Sequence, residues 1–333
     1  MKCVSCFEEA PTSTRCATCG GALHKACAMQ CSCGNKLCDG CFATSHLCKE
    51  CIEKENTLSK IETVRRSNIE LYLRCPYAFY LQVVKGNEQP ETIYTKAGID
   101  MHDVFEKYSY VPAGTQILQD MINEYKLVFD KYEESLFTTK ATKEKMWIRA
   151  IESMTHYAEL HPTLPTPFVT ERKLFLHVED GLPTINITMD RIDEDGEGLI
   201  IRDWKTGATM VGKKFEEDLQ APLYIMIIEN EYKRKVNRFI YHFLGEGKTR
   251  EFIRIDDDKF GCTVNSRTYI ISLQGTMERI KKIFASINAK QFSINNSMKS
   301  YTCTMCHLMH NGLCAGKDEQ VWKNAKGGLN TWK

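Results

Sequence analysis

The chain has 333 residues, 43% hydrophobic and 26% charged, with a net charge of +1. That balance suits one or two folded domains and excludes wholesale disorder or nucleic-acid coating by bulk charge. No apolar run reaches the roughly 18 residues of a membrane helix, and residues 1–6 carry no apolar leader, so a cytoplasmic protein is expected.

Cysteine is the outlier: there are 16, of which 11 fall in the first 51 residues. Without a leader, disulfides are not expected, and clustered Cys-x2-Cys pairs read as metal ligation. The series runs Cys3, Cys6; Cys16, Cys19; His24, Cys27; Cys31, Cys33; Cys38, Cys41; then His46, Cys48 and Cys51. Each pair can grip a tetrahedral Zn2+ from a tight turn and two pairs close a site, so about three zincs are expected. The first and third pairs would share one ion and the second and fourth the next. Cys38, Cys41, Cys48 and Cys51 would hold the third, with His46 as a substitute. Few aliphatic residues are available here, so metal must supply the folding free energy, about 10 kcal/mol or more per structural zinc. A polar stretch at 53–57 then separates a zinc domain at 1–54 from a second domain at 58–333.

Past the linker the periodicity changes. Ser67-Asn68-Ile69-Glu70 reads as a capping box opening a helix that continues through Phe79. Further helices are expected over 97–110, 115–137 and 143–160. Strand patterning follows at 168–178, 184–192 and 199–204, with a turn at Asp195-Gly196-Glu197-Gly198. A helix over 215–232, strands over 238–244 and 251–255, and a long helix over 268–288 complete the pattern. Helices, then a sheet, then a crossover helix and more strands give an α/β core with a mixed sheet flanked by helices. Gly245-Glu246-Gly247-Lys248-Thr249 echoes a phosphate loop, but His242 stands where that motif needs glycine, and the stretch joins two strands. Trp322 and Trp332 lie in a polar tail.

The chemistry concentrates in one hairpin, Ile187-Thr188-Met189-Asp190-Arg191-Ile192-Asp193 and Ile200-Ile201-Arg202-Asp203-Trp204-Lys205-Thr206-Gly207. Centred between Gly196 and Glu197, it places Asp190 opposite Asp203, with Cβ atoms roughly 5 Å apart. Two carboxylates that close repel unless a cation lies between them, and oxygen ligands suit Mg2+ or Mn2+. Lys205 is two residues beyond Asp203, so it shares that face. An acid–x–lysine strand facing a second acid is a metal-plus-lysine hydrolytic arrangement.

This hairpin resembles motifs II and III of the PD-(D/E)XK nuclease superfamily, in its RecB-like branch. Gly98-Ile99-Asp100-Met101-His102 is similar to that branch's G-x-x-x-H motif, whose histidine helps to hold metal. Glu171 stands where some members carry a further acid. Leu219-Gln220-Ala221-Pro222-Leu223-Tyr224 resembles the Q-x-x-x-Y motif beside the site and the DNA. Arg74-Cys75-Pro76-Tyr77 is similar to the helix that opens the nuclease domain in bacterial end-processing and CRISPR-adaptation nucleases. The resemblance spans about residues 60–315 and implies a restriction-endonuclease-like core. It also implies Mg2+ or Mn2+ on Asp190, Asp203 and His102, helped by the Trp204 carbonyl, with Lys205 assisting the attacking water. Gln220 and Tyr224 would position DNA.

In the same branch, one cysteine before the nuclease motifs and three after them hold a [4Fe–4S] cluster, which here implies Cys75, Cys303, Cys306 and Cys314. The gap between Cys306 and Cys314 is longer than in that branch and contains His307 and His310, so a Cys/His zinc site is the alternative. The zinc head resembles RING, B-box and in-between-RING modules and would recruit a protein partner, such as a helicase, or guide DNA. The expected function is a metal-dependent deoxyribonuclease, an exonuclease processing ends in recombination, repair or replication, in a prokaryotic or viral protein. The alternatives are a catalytically silent DNA-binding adaptor scaffolded by zinc, and a ubiquitin-ligase-like protein driven by the head.

Overall fold

The computed structural model describes residues 14–23, 27–31, 35–45, 48, 61–87, 89–137, 139–180, 182–196, 198–210, 214–293, 303 and 306–314. Cys3, Cys6, His24, Cys33, His46, Cys51, Trp322, Trp332 and the expected boundary between 54 and 58 lie outside the described residues. The chain divides into two compact units, one comprising Met1–Gln89, Val178–Pro183 and Ile280–Leu329, the other chiefly Pro90–His177 and Thr184–Arg279.

The second unit begins with helices α1 (Ile93–Tyr108), α2 (Leu118–Phe129) and α3 (Lys140–Leu160). Thr92 and Thr139 cap α1 and α3, each accepting the backbone N–H three residues on. Strands β1 (Val169–Leu176), β2 (Thr184–Asp195) and β3 (Gly198–Lys205) form an antiparallel meander. Helix α4 (Gln220–Tyr232) crosses over to β4 (Val236–Phe243), which pairs parallel to β3. Strands β5 (Lys248–Arg254), β6 (Lys259–Val264) and β7 (Arg267–Ser272) then continue antiparallel. The β3–β4 pair is buried on both faces, as a parallel pair at the centre of a covered sheet requires. On one side, Phe105 and Tyr157 from α1 and α3 pack on Trp204. On the other, α4 lays Tyr224 against Phe239.

The hairpin register is the expected one: Arg191 faces Arg202 and Ile192 faces Ile201. Between 259 and 273 the fold departs from expectation. Residues 267–272 form strand β7 instead of opening the long helix, which spans Leu273–Asn288. Residues 244–249 form a 3-10 turn and the start of β5, not the opening of a helix.

In the first unit, the helix expected to run unbroken through Phe79 spans Arg66–Arg74 and then bends. Cys75 is extended (φ −159°) because Pro76 follows it, and a second helical piece covers Pro76–Phe79. Ser67 is not the cap; the Asn68 side chain accepts the Arg65 N–H at 2.9 Å. Tyr72, Phe79 and Tyr80 enclose Phe292, at ring-centroid distances of 6.4, 6.3 and 5.1 Å. The Tyr72 hydroxyl donates to the Gln291 carbonyl at 2.7 Å. Segments more than 200 residues apart in sequence are thereby clasped.

Candidate metal centre and its lysine

Five elements of the second unit deliver the site. Strand β1 is registered so that Glu171 falls level with Asp190, between the pairs Thr170–Arg191 and Arg172–Met189. In β2 and β3, Asp190 and Asp203 lie one step beyond the Arg191–Arg202 pair. Helix α1 brings His102, and α4 brings Gln220 from its first turn. His102 Nδ1 lies 3.3 Å from Asp190 Oδ1 and 4.0 Å from Glu171 Oε1. One donor atom from each of His102, Glu171 and Asp190 falls within 4.8 Å of the others. The other Asp190 oxygen accepts the Trp204 N–H at 2.6 Å, tying β2 to β3 at the site.

Asp203, 2% exposed, is held by different partners. Lys205 Nζ lies 2.7 Å from its Oδ2, and Gln220 Nε2 donates to its Oδ1. Lys205 also donates to Gln220 Oε1 at 2.9 Å. Asp203, Lys205 and Gln220 therefore form a closed polar triangle beside the His102–Glu171–Asp190 group. The Tyr224 hydroxyl donates to the Thr188 carbonyl at 2.9 Å, which fixes α4 to β2 two residues from Asp190.

The electrostatics are those of crowded acids. Burial opposes the charged form of His102, but Asp190, Asp203 and Glu171 together outweigh it and raise its pKa to about 9. Burial, reinforced by Asp190, pushes Glu171 up to about 8. Burial also lifts Asp203 to about 6 against the pull of Lys205. Asp190 goes the other way: burial opposes it, but His102, Lys205 and the Trp204 N–H hold it below the usual carboxylate range. An imidazole and two carboxylates whose donor atoms converge, beside a third buried acid, fit a divalent cation such as Mg2+ or Mn2+. Glu171 adopts φ +40°, a left-handed backbone unusual for a residue with a Cβ and found here at the point where the acids converge.

Sequence reasoning missed several supports. Arg191 and Arg202 share the buried carboxylate of Asp193, at 2.7 and 2.6 Å. Arg202 Nη1 also lies 3.1 Å from His242 Nε2. Burial, with Arg202 and Arg191 nearby, holds the His242 pKa down to about 3, so that ring stays neutral and accepts the guanidinium N–H. The only sequence sign was a pair of arginines flanking acids in strands otherwise apolar.

In the first unit, the sulfurs of Cys16, Cys19, Cys38 and Cys41 lie within 4.8 Å of one another. The partition therefore differs from the expected one, in which Cys16 and Cys19 would meet Cys31 and Cys33. The Ala17 N–H donates to the Lys36 carbonyl at 2.8 Å, which sets the first knuckle beside the strand that leads into Cys38. Cys31 instead meets Cys48, whose N–H donates to the Cys31 sulfur at 3.3 Å. Burial opposes the Cys16 thiolate, yet the N–H groups of Cys19, Cys38 and Thr18 lower its pKa to about 6. Cys303 sits near Cys75 and Cys306: burial, then the charges of those two, push its thiol up. Cys262 is buried in β6, away from any cysteine group among the described residues.

No helix among the described residues is long and apolar enough to cross a membrane. Among solved structures, a crystal structure of SSO0001 is similar at 12% identity and a TM-score of 0.32, over 81% of this chain and 94% of that one. No curated protein matches. A family model for the PD-(D/E)XK nuclease superfamily matches residues 66–311. That match covers well over half the chain and takes in every residue of the carboxylate–lysine site, so the chain belongs to the PD-(D/E)XK superfamily of metal-dependent nucleases.

Proposed function

We propose that the protein is a deoxyribonuclease of the RecB-like branch that trims DNA ends, as an exonuclease serving repair, recombination or replication. The observation that carries this reading is the His102–Glu171–Asp190 group lying beside a lysine fixed by Asp203 and Gln220. His102, Glu171 and Asp190 would hold Mg2+ or Mn2+, with Asp203 joining them where Lys205 and Gln220 release an oxygen. A cation bound there supplies Lewis acidity to a phosphate oxygen and acidifies a water. Lys205, 30% exposed, keeps a proton free to orient that water and to offset charge developing on the phosphate. Gln220 holds the lysine at that angle, and Tyr224 holds the helix that carries Gln220. DNA reaches the site through the partly exposed His102, Glu171 and Lys205.

In the first unit, Cys16, Cys19, Cys38 and Cys41 would bind one structural zinc, and the remaining head cysteines and histidines further ions. Cys75, Cys303, Cys306 and Cys314 would hold a [4Fe–4S] cluster, with zinc as the alternative. The head would contact a protein partner.

End-labelled linear DNA incubated with Mn2+ or Mg2+ tests the reading. Protein purified anaerobically is expected to cut it, and Lys205→Ala to cut about 100- to 1,000-fold more slowly. Equal cleavage by both proteins would remove the hairpin from the chemistry. A silent wild type that still binds DNA would favour the adaptor.

A further inference from the structure

Tyr241 lies on β4 directly beside Asp203, its registered partner on β3. Its ring centroid is 5.5 Å from Lys205 Nζ, close enough for the ring face to attract the ammonium. Its hydroxyl donates to Asp218 Oδ2 at 2.6 Å. Asp218 in turn accepts the N–H of Gln220 at 3.0 Å and of Ala221 at 3.3 Å. Those are free amides of the first turn of α4, which an acidic side chain is suited to hold. Gln220 then returns to Lys205 at 2.9 Å and to Asp203. The contacts thus close a ring: Tyr241 to Asp218, to the first turn of α4, to Gln220, to Lys205, and back to the Tyr241 ring.

We infer that Tyr241 and Asp218 are positioning residues for hydrolysis: together they lock the first turn of α4 so that Gln220 holds Lys205 at the angle the reaction needs. The inference rests on the nuclease reading and adds two residues to it. Both act through Gln220 and Lys205. Tyr241 is fully buried and Lys205 is partly exposed, so the pair fixes the reactive group from beneath. A misplacement of about 1 Å at a reacting group can cost on the order of 100-fold in rate, so a loosened brace is expected to show in the chemical step.

The test uses the full chain with Mn2+ or Mg2+ and end-labelled DNA. Tyr241→Phe keeps the ring and removes only the hydroxyl. It should cut about tenfold more slowly in single turnover at saturating metal, with DNA affinity unchanged. Asp218→Ala should lose a similar factor, the double variant should lose no more than either alone, and Asp218→Asn, which still caps and still meets the hydroxyl, should recover most of the rate. Hydrogen exchange at the Gln220 and Ala221 amides should quicken in Tyr241→Phe. If wild type cuts and Tyr241→Phe cuts as fast, the brace is overturned and the nuclease reading stands. It is overturned too if the rate falls only in step with melting temperature or DNA affinity. A wild type that cuts with neither metal overturns the nuclease reading and the brace's catalytic role together, and unchanged amide exchange in Tyr241→Phe would then remove the brace itself.

Discussion

The two regions that gather metal ligands do so by opposite means. In the second unit the sheet brings Glu171, Asp190 and Asp203 to one level across three strands, and the surrounding protein meets their repulsion with His102, Lys205 and Gln220. In the first unit, Cys16, Cys19, Cys38 and Cys41 converge around a two-residue-per-strand hairpin and one short helix. A large apolar core enforces the first arrangement. Among the described residues, the second has few buried apolar side chains near it, including Ala22, Leu23 and Leu37. The carboxylate site should therefore exist before its ion arrives, whereas the cysteine site should owe its structure to the ion.

Metal removal gives the largest contrast. On the proposed reading, stripping with a strong chelator should unfold the head cooperatively, because a structural zinc contributes on the order of 10 kcal/mol or more. The second unit should keep its secondary structure and lose only the stabilisation by mass action that a weakly held cation gives. Amide exchange or NMR on the stripped protein reads both units at once. A head that stays protected without metal would erase the contrast.

The second unit's independence rests on internal pairing, and Asp193 is its most concentrated point. Asp193 and Arg191 are 0% exposed, and Arg202 shares the same carboxylate. Asp193→Ala should leave two guanidinium groups without their counter-ion and cost about 3–5 kcal/mol. Replacing all three together with Met, Leu and Met should restore much of that loss. Urea unfolding of metal-free protein measures it, and a loss under about 1 kcal/mol for Asp193→Ala would show the triad to be dispensable.

Acid and base should also separate the two regions. Glu171, Asp203 and His102 all have folded pKa values above their ordinary ones, so the folded state holds protons that the unfolded state has released. Stability from these groups is present at low pH and is lost as pH rises through about 6 for Asp203, about 8 for Glu171 and about 9 for His102. A bound Mn2+ competes with the same protons, so its gain in melting temperature should grow across that window. If the cysteine group of the first unit holds zinc as proposed, it should respond the other way and release the ion as acid protonates the thiolates. Melting curves at about pH 6 and 8.5, with chelator and with Mn2+, check the signs; a Mn2+ shift of equal size at both would contradict them.

The hairpin was legible because an Asp-Gly-Glu-Gly turn stands between two apolar strands, and the turn's position alone fixes which acids meet. The β6–β7 hairpin was not. Its two-residue turn uses Asn265 and Ser266, both at positive φ (50° and 64°), where an Asn-Gly pair would have announced it. Strand β7 then runs into a true helix at Leu273 with no glycine or proline between, so its alternation of Tyr269 and Ile271 inward was absorbed into the helical pattern. The cysteine spacing showed which ligands bite together but not which pairs meet; a backbone bond from Ala17 to Lys36 decides that. Asp218 and Tyr241 carried no signal because 23 residues separate partners that only the crossover through α4 brings together.

The smallest expected effect tests where the second unit carries the strain of its function. Glu171 holds φ +40° at the centre of the acids, a conformation that a Cβ makes unfavourable. Glu171→Ala and Glu171→Gly both remove the carboxylate, so both should weaken Mn2+ binding equally. Only glycine also relieves the backbone, and metal-free Glu171→Gly should be more stable than Glu171→Ala by about 1 kcal/mol. Urea unfolding in chelator compares them directly. If alanine proves equal or better, the backbone there is unstrained, and the carboxylate's crowding alone is what the core sustains. If glycine wins, the sheet holds a strained residue in place before any metal arrives, as only a site set in a large apolar core can.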